Sequence, residues 1–288
     1  MYTFRTIQIS DRKTIETIRL REGQLLSSHI FVSVFLWAEK LHLEICLEKD
    51  FYVIRRNDGF YFPCGSEEKK KQFIEEAVIK EKKQLLQMRE KDIDWLEKYW
   101  PGQFAVIEDR DESEYIYLLG EQIRLVGSKY AQMRKELRHV LKKNGFEFRV
   151  ITKEVYPDIE AINCKWREKH QSVMKLDEAD LPSIEKAIQY FEELRLEGIV
   201  MYKEEKPTAY IISSRINEEV ADIHFLKCID RERGVELCCK QAYYCLLGDC
   251  YQYVNCEDDM GIEGLRTAKM EAHPIKINIV WKAHLREE

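Results

Sequence analysis

The 288-residue chain contains no Cys-x-x-Cys pair and no His-x-x-x-His pair. Its nine cysteines, an odd number, are scattered through apolar runs, with only Cys238 and Cys239 adjacent. That pattern fits neither a zinc site nor a secreted disulfide framework and reads as reduced core thiols, so no metal site is expected. Long hydrophobic runs are also missing. The most apolar run, His29 to Ala38, falls well short of the ~20 residues that cross a bilayer. Met1-Tyr2-Thr3-Phe4-Arg5 carries no leader pattern. Both absences lead to the expectation of a cytoplasmic protein without a transmembrane segment. An excess of positive charge is lacking as well: 46 Lys and Arg stand against 52 Asp and Glu, for a formal net charge of -6. Uniform attraction to nucleic acid or anionic lipid is thereby excluded, and any such partner must meet a local basic surface.

Apolar residues make up 45% of the chain and charged residues 34%, the balance of a globular protein with a sizeable core. The length accommodates two domains of about 140 residues each. In the first half, helical patterns at Ile7–Leu26 and His29–Lys40 precede strand-like runs at Leu43–Leu47, Phe51–Arg55 and Phe60–Phe62. Ser66 is placed to cap a long charged helix reaching about Glu90, and Phe104–Glu108 reads as a further strand.

The middle of the chain is basic. From Arg124 to Arg149 eight Lys or Arg face only Glu136 and Glu147, and Arg134, Arg138 and Lys142 recur every fourth residue. With Lys129 they form either a solvated helix face or a phosphate-tracking ridge of the kind a tRNA would need. Asn144-Gly145 is the expected helix end.

In the second half, helices are expected over Glu154–His170, with Trp166 turned inward, and from Asp180-Leu181-Pro182 onward. The period then switches to two at Ile199–Tyr202, Ala209–Ile216 and Val220–Cys228, an antiparallel meander. A helix over Gly234–Leu247, a strand at Tyr251–Asn255, a short helix after Asp259 and a strand at Ile275–Trp281 complete the order. On the Val220–Cys228 strand, Asp222 and His224 share one face by alternation, which is unusual unless that face meets a polar cleft. Histidine has an intrinsic pKa suited to taking a proton from an amine near neutrality. A hydrogen-bonded structural histidine beside Asp222 is the competing reading.

The densest chemistry lies at Asn255-Cys256-Glu257-Asp258-Asp259-Met260-Gly261-Ile262-Glu263-Gly264-Leu265-Arg266-Thr267-Ala268-Lys269. Three adjacent carboxylates repel one another and are tolerated where cations or helix N–H groups meet them. Arg266 and Lys269 lie three apart, on one helix face. This run closely resembles the C-terminal signature of the DUF2156 family, the phosphatidylglycerol lysyltransferase C-terminal domain family. Cys256 stands where that family usually has Arg, and His224-Phe225-Leu226-Lys227 stands where it commonly shows His-x-Glu-Lys. The resemblance implies an α+β fold of two tandem acyltransferase domains of the GNAT type, divided here as residues 1–127, a basic connecting helix and linker 128–150, and 151–288 with the active cleft. It implies transfer of an acyl or aminoacyl group to an amine or hydroxyl acceptor, with aminoacyl-tRNA or acyl-coenzyme A as donor and a lipid acceptor disfavoured without membrane spans. Asp259 and His224 are the candidate proton acceptors, with Glu257 and Asp258 beside them. Asn255, Arg266, Lys269, Lys227, Asp222 and Trp166 would hold substrate. In Arg231-Glu232-Arg233-Gly234-Val235-Glu236, Arg231, Arg233 and Gly234 would meet donor phosphates, although Glu236 occupies the place of a small residue in the coenzyme A motif. The alternatives are an acetyl-coenzyme A N-acetyltransferase and a non-catalytic module that keeps the fold.

Overall fold

The computed structural model describes residues 2–57, 59–143, 145–170 and 177–286. In chain order its elements are α1 (Arg12–Arg21), α2 (Phe31–Trp37), β1 (Leu43–Leu47), β2 (Phe51–Arg56), β3 (Gly59–Tyr61), β4 (Cys64–Gly65), α3 (Glu67–Phe73), β5 (Gln84–Met88), α4 (Glu90–Tyr99), β6 (Phe104–Glu108), β7 (Glu114–Leu118), α5 (Leu119–Arg124), α6 (Ala131–Lys143), β8 (Phe146–Val150), α7 (Tyr156–His170), α8 (Asp177–Gln189), β9 (Glu197–Lys203), β10 (Lys206–Arg215), β11 (Val220–Cys228), α9 (Val235–Leu247), β12 (Tyr253–Asn255), α10 (Glu263–Glu271), β13 (Lys276–Asn278) and β14 (Trp281–Leu285). They build two mixed sheets of seven strands each, an α+β architecture.

The described chain falls into two compact units. The first contains Met1–Tyr115, Glu257–Arg266 and Ile277–Glu288, and the second Ile116–Cys256 and Thr267–Lys276. This differs from a linear division at 127 and 150. The physical reason is hydrogen bonding: β14 inserts between β5 and β6 of the first sheet, whereas β7 pairs with β12 in the second.

In the first unit β1, β2 and β3 run antiparallel, and β3 joins β5 in parallel. Phe51, Val53, Phe60, Phe62, Phe73 and Leu85 form part of one buried cluster beneath α3 and α4. Ser66 caps α3 by accepting from the Lys69 N–H. The charged helix expected to reach Glu90 stops much earlier. A π-helical segment over Ile74–Ile79 follows α3, and Gln84–Met88 is an interior strand. Leu85 and Met88 are fully buried there, so tertiary burial overrides the helical propensity of a Lys- and Glu-rich run.

In the second unit β8, β9, β10 and β11 form an antiparallel meander, and β12 lies parallel to β11. β10 is buried from Ala209 to Ser214 because helices cover both faces. Tyr210 Oη donates to Asn163 on α7, and Ser213 Oγ bonds Tyr243 on α9. Such a strand reads as a continuous apolar run, not an alternation. α8 begins at Asp177 and takes Pro182 into its interior, so Pro182 does not mark its start. The strand expected over Ile275–Trp281 is two strands, β13 and β14, in different sheets. Asn144, expected to end α6, lies outside the described residues.

Candidate active site

The signature run is shared between the units: Asn255, Cys256 and Lys269 belong to the second, Glu257 to Arg266 to the first. Each set is held differently.

In the first unit the Asp259 side chain is fully buried. Its Oδ2 accepts from Arg266 Nε at 2.9 Å, Arg110 Nη1 at 3.2 Å and Tyr115 Oη at 2.5 Å, and its Oδ1 from Arg266 Nη2 at 2.8 Å and the Gly261 N–H at 3.0 Å. The backbone makes this possible. Met260 and Gly261 both adopt positive φ, turning the chain back so that the Gly261 amide faces the carboxylate. Burial pushes the Asp259 pKa up, but the Arg266 and Tyr115 hydrogen bonds overcome it and hold it at about 2. Such a group stays ionised and has little tendency to take a proton near neutrality. The expectation of Asp259 as proton acceptor is therefore replaced by a positioning role. Arg266 also reaches Asp111 at 2.6 Å, and Glu257 Oε1 accepts from Ser27 Oγ at 3.2 Å. Asp258 accepts the Met260 N–H at 2.8 Å, a local turn bond. Arg110 and Asp111 complete this cluster without having been singled out from sequence, and Tyr115 joins it from the Glu114-Tyr115-Ile116-Tyr117 stretch, which resembles the family's bridge between domains. The charged run Asp109–Glu112 ahead of a strand was the available signal.

In the second unit β11 and β12 pair only at Val220–Tyr253, Ala221–Val254 and Asp222–Asn255. Beyond Asp222, β11 runs on to Cys228 with no β12 partner, so the two parallel strands part there. His224 sits immediately past the parting point. The β10–β11 register places Phe225 opposite Ile212 and Ile223 opposite Ser213, leaving His224 as the extra residue of a bulge. Simple alternation is broken there, but the Asp222 and His224 side chains still lie side by side. The ring is buried. Nε2 lies 2.7 Å from Ser214 Oγ, and Nδ1 lies 3.8 Å from Asp222 Oδ2. Burial lowers the His224 pKa against the opposing attraction of Asp222, so the ring is neutral at pH 7 and retains a lone pair. Asn255 is buried at the end of β12.

Lys227 pairs with Asp180 at 2.7 Å and stands 3.8 Å over the Trp166 ring. Trp166 is half-buried beneath this cation. Lys269 donates to the Cys256 carbonyl at 2.5 Å, while Arg266, one turn earlier, is committed to Asp259. Their shared helix face does not give them a shared task. Cys256 Sγ lies 3.5 Å from Tyr244 Oη, and burial raises its thiol pKa.

The expected phosphate turn packs against α6 at Gly234. Gly234, at φ +95°, caps α9 so close to α6 that a Cβ there would stand 2.7 Å from the Glu136 carbonyl oxygen. Glu232 accepts from Lys143 and Lys203, Arg233 meets Glu136 at 3.6 Å, and Arg231 donates to the Lys169 carbonyl. Glu236 pairs with Lys240 at 2.6 Å. Gly234 thus packs against α6, while Arg231 and Arg233 remain exposed, Arg233 with 84% of its side chain in water.

Along the basic ridge, Lys129 pairs with Glu121, and Arg134 donates to the Leu125 and Gly127 carbonyls. Arg138 and Lys142 are exposed, and among the described residues no ion pair holds either.

A family model described as phosphatidylglycerol lysyltransferase, C-terminal, matches residues 23–281. Among solved structures, a conserved protein of unknown function from Bacteroides thetaiotaomicron superposes with a TM-score of 0.87 at 26% identity, covering 99% of this chain and 100% of that one. The C-terminal DUF2156 domain of a candidate lysylphosphatidylglycerol synthetase from Agrobacterium fabrum gives 0.66 at 14% identity, covering 96% and 92%. L-PGS from Bacillus licheniformis gives 0.64 at 12%, covering 96% and 93%. The latter two are similar in fold. No curated protein sequence matches. Among the described residues no helix is long and apolar enough to cross a membrane.

Proposed function

Because this chain belongs to the phosphatidylglycerol lysyltransferase C-terminal family, we propose that it transfers an aminoacyl group from aminoacyl-tRNA to an amine or hydroxyl acceptor at the β11–β12 fork. The observation carrying this reading is the parting of those strands beyond Asp222 and Asn255, with neutral His224 just past it. The acceptor nucleophile attacks the ester carbonyl of the donor. The acceptor's proton passes to the Ser214 hydroxyl as that hydroxyl gives its own proton to His224 Nε2, the tetrahedral intermediate collapses, and the proton returns by the same route to the tRNA 3′ oxygen as it leaves. The new amide or ester and the deacylated tRNA are the products. Ser214 holds the ring through Nε2, and Asp222 faces Nδ1 and favours the imidazolium as it forms. Lys227, carried by Trp166 and Asp180, supplies a cation on the same strand. Asp259 and Arg266 fix the signature turn without exchanging protons.

A tRNA donor is favoured over coenzyme A because α6 covers the α9 N-terminus that would receive a pyrophosphate, and Glu236 adds negative charge there. Exposed Arg138 and Lys142 offer phosphate contacts instead. The test is transfer of radiolabelled amino acid from a panel of charged tRNAs to amines, hydroxyl compounds and phosphatidylglycerol vesicles. Labelled product formed by wild type and lost in His224→Ala supports the reading. Transfer from acetyl-coenzyme A alone, or product formation that survives His224→Ala at full rate, refutes it.

A further inference from the structure

Among the described residues β8 is an edge strand of the second sheet, hydrogen-bonded to β9 alone. Its sequence is Phe146-Glu147-Phe148-Arg149-Val150, and four of these five residues are exposed, with Val150 at 65% and Phe148 at 37%. A strand edge with free N–H and C=O groups is a template for another strand, and proteins ordinarily blunt it with lysines, proline or a covering element. β8 contains no lysine and no proline.

We propose that β8 pairs with β8 of a second copy of this chain, antiparallel about a twofold axis through Phe148, joining two sheets into one. The argument rests on register and charge, and is independent of the transfer reaction. Opposed residues in an antiparallel pair alternate between those that exchange hydrogen bonds and those that do not. Ile151 N–H donates to the Gly198 carbonyl directly across from it in the β8–β9 register. By alternation Arg149 and Glu147 also bond inward, to β9. Phe146, Phe148 and Val150 therefore present their backbone groups outward. A twofold through Phe148 sets Phe148 opposite Phe148 and each Phe146 opposite Val150, so every outward group meets an outward group. The same axis sets each Glu147 opposite Arg149, in the close-approach position where side chains lie nearest.

The alternatives are disfavoured by the same residues. A slip of one residue faces outward groups against inward ones. A slip of two opposes Glu147 with Glu147 in one direction and Arg149 with Arg149 in the other. The sequence is self-complementary in one register only. Within one chain Arg149 Nε already donates to Glu147 at 2.8 Å, and its guanidinium lies 4.3 Å over the Tyr202 ring. Pairing would extend these two charges into a ladder of four. On the opposite sheet face Phe146, Phe148 and Val150 would meet their counterparts, burying side chains that one copy leaves in water.

The test is sedimentation equilibrium of the full chain over a concentration series reaching the high micromolar range. Wild type is expected to dimerise. Glu147→Arg and Arg149→Glu each replace two attractive cross-strand pairs with two repulsive ones, and each is expected to raise the dimer dissociation constant roughly thirtyfold. Both side chains are about half-exposed, so circular dichroism should show unchanged folding. Mixing the two single variants, or combining the reversals in one chain, restores complementarity and should restore the dimer. A wild type that stays monomeric throughout, or a dimer indifferent to the single reversals, overturns the proposal.

Discussion

The Asp259 cluster allows a stability effect to be worked through. Asn in place of Asp259 keeps the shape of the side chain but removes its charge, and one of its terminal atoms becomes a donor facing donors. Arg266 Nε, Arg266 Nη2, Arg110 Nη1 and Tyr115 Oη all point at this carboxylate. Breaking a fully buried ion pair costs about 3–5 kcal/mol. Arg266 keeps 35% of its side-chain surface in water and Arg110 29%, so both can recover hydration, and about 2 kcal/mol is the reasoned loss. The readout is hydrogen exchange of the Gly261 amide, which donates to Asp259. Its protection should fall roughly thirtyfold at pH 7. The pH dependence has a definite sign. The Asp259 pKa is depressed to about 2 in the folded chain, below the unfolded value of about 3.9. The wild-type advantage over Asp259→Asn is therefore complete above the unfolded pKa and disappears as pH falls through the folded one. Unchanged Gly261 exchange in the variant, or an advantage that persists below pH 2, would refute the account of this cluster.

Further outcomes are expected. His224→Gln should lower the transfer rate by about 10²–10⁴ while leaving the urea midpoint nearly unchanged, and the wild-type rate should fall with acid only below the ordinary histidine range because burial depresses the ring. Gly234→Ala forces a Cβ against the Glu136 carbonyl at positive φ and should cost about 1–3 kcal/mol in urea denaturation. Acetyl-coenzyme A should give no saturable rise in melting temperature, whereas aminoacyl-tRNA should. Reversing Arg138 and Lys142 to Glu should weaken tRNA binding and flatten its dependence on salt, with filter binding at several salt concentrations as the check.

Much of the second half of the chain was legible because its signals are local. The Val220–Cys228 strand, the helix over Gly234–Leu247 and the signature turn after Asn255 each announce themselves within a few residues. What stayed hidden depends on distant partners. β5 lies within a charged run whose own propensity is helical, and it becomes a strand only because β3 and β14 flank it. The bulge that isolates His224 arises from the match between β10 and β11, and neither strand alone reveals it. Asp259 stood out as one of three adjacent acids that need answering cations, a local signal. The answering cation and hydroxyl, Arg110 and Tyr115, lie more than a hundred residues earlier.

The placement of β14 has a consequence for how the chain is made. It is the strand that bridges β5 and β6, and Glu257–Arg266 likewise belong to the unit that begins with the N-terminal helices. A nascent polypeptide emerging from the ribosome cannot complete that early unit until Trp281–Leu285 is free. During synthesis β5 and β6 are left waiting with unpaired edges, and removal of Trp281–Leu285 should leave them so permanently.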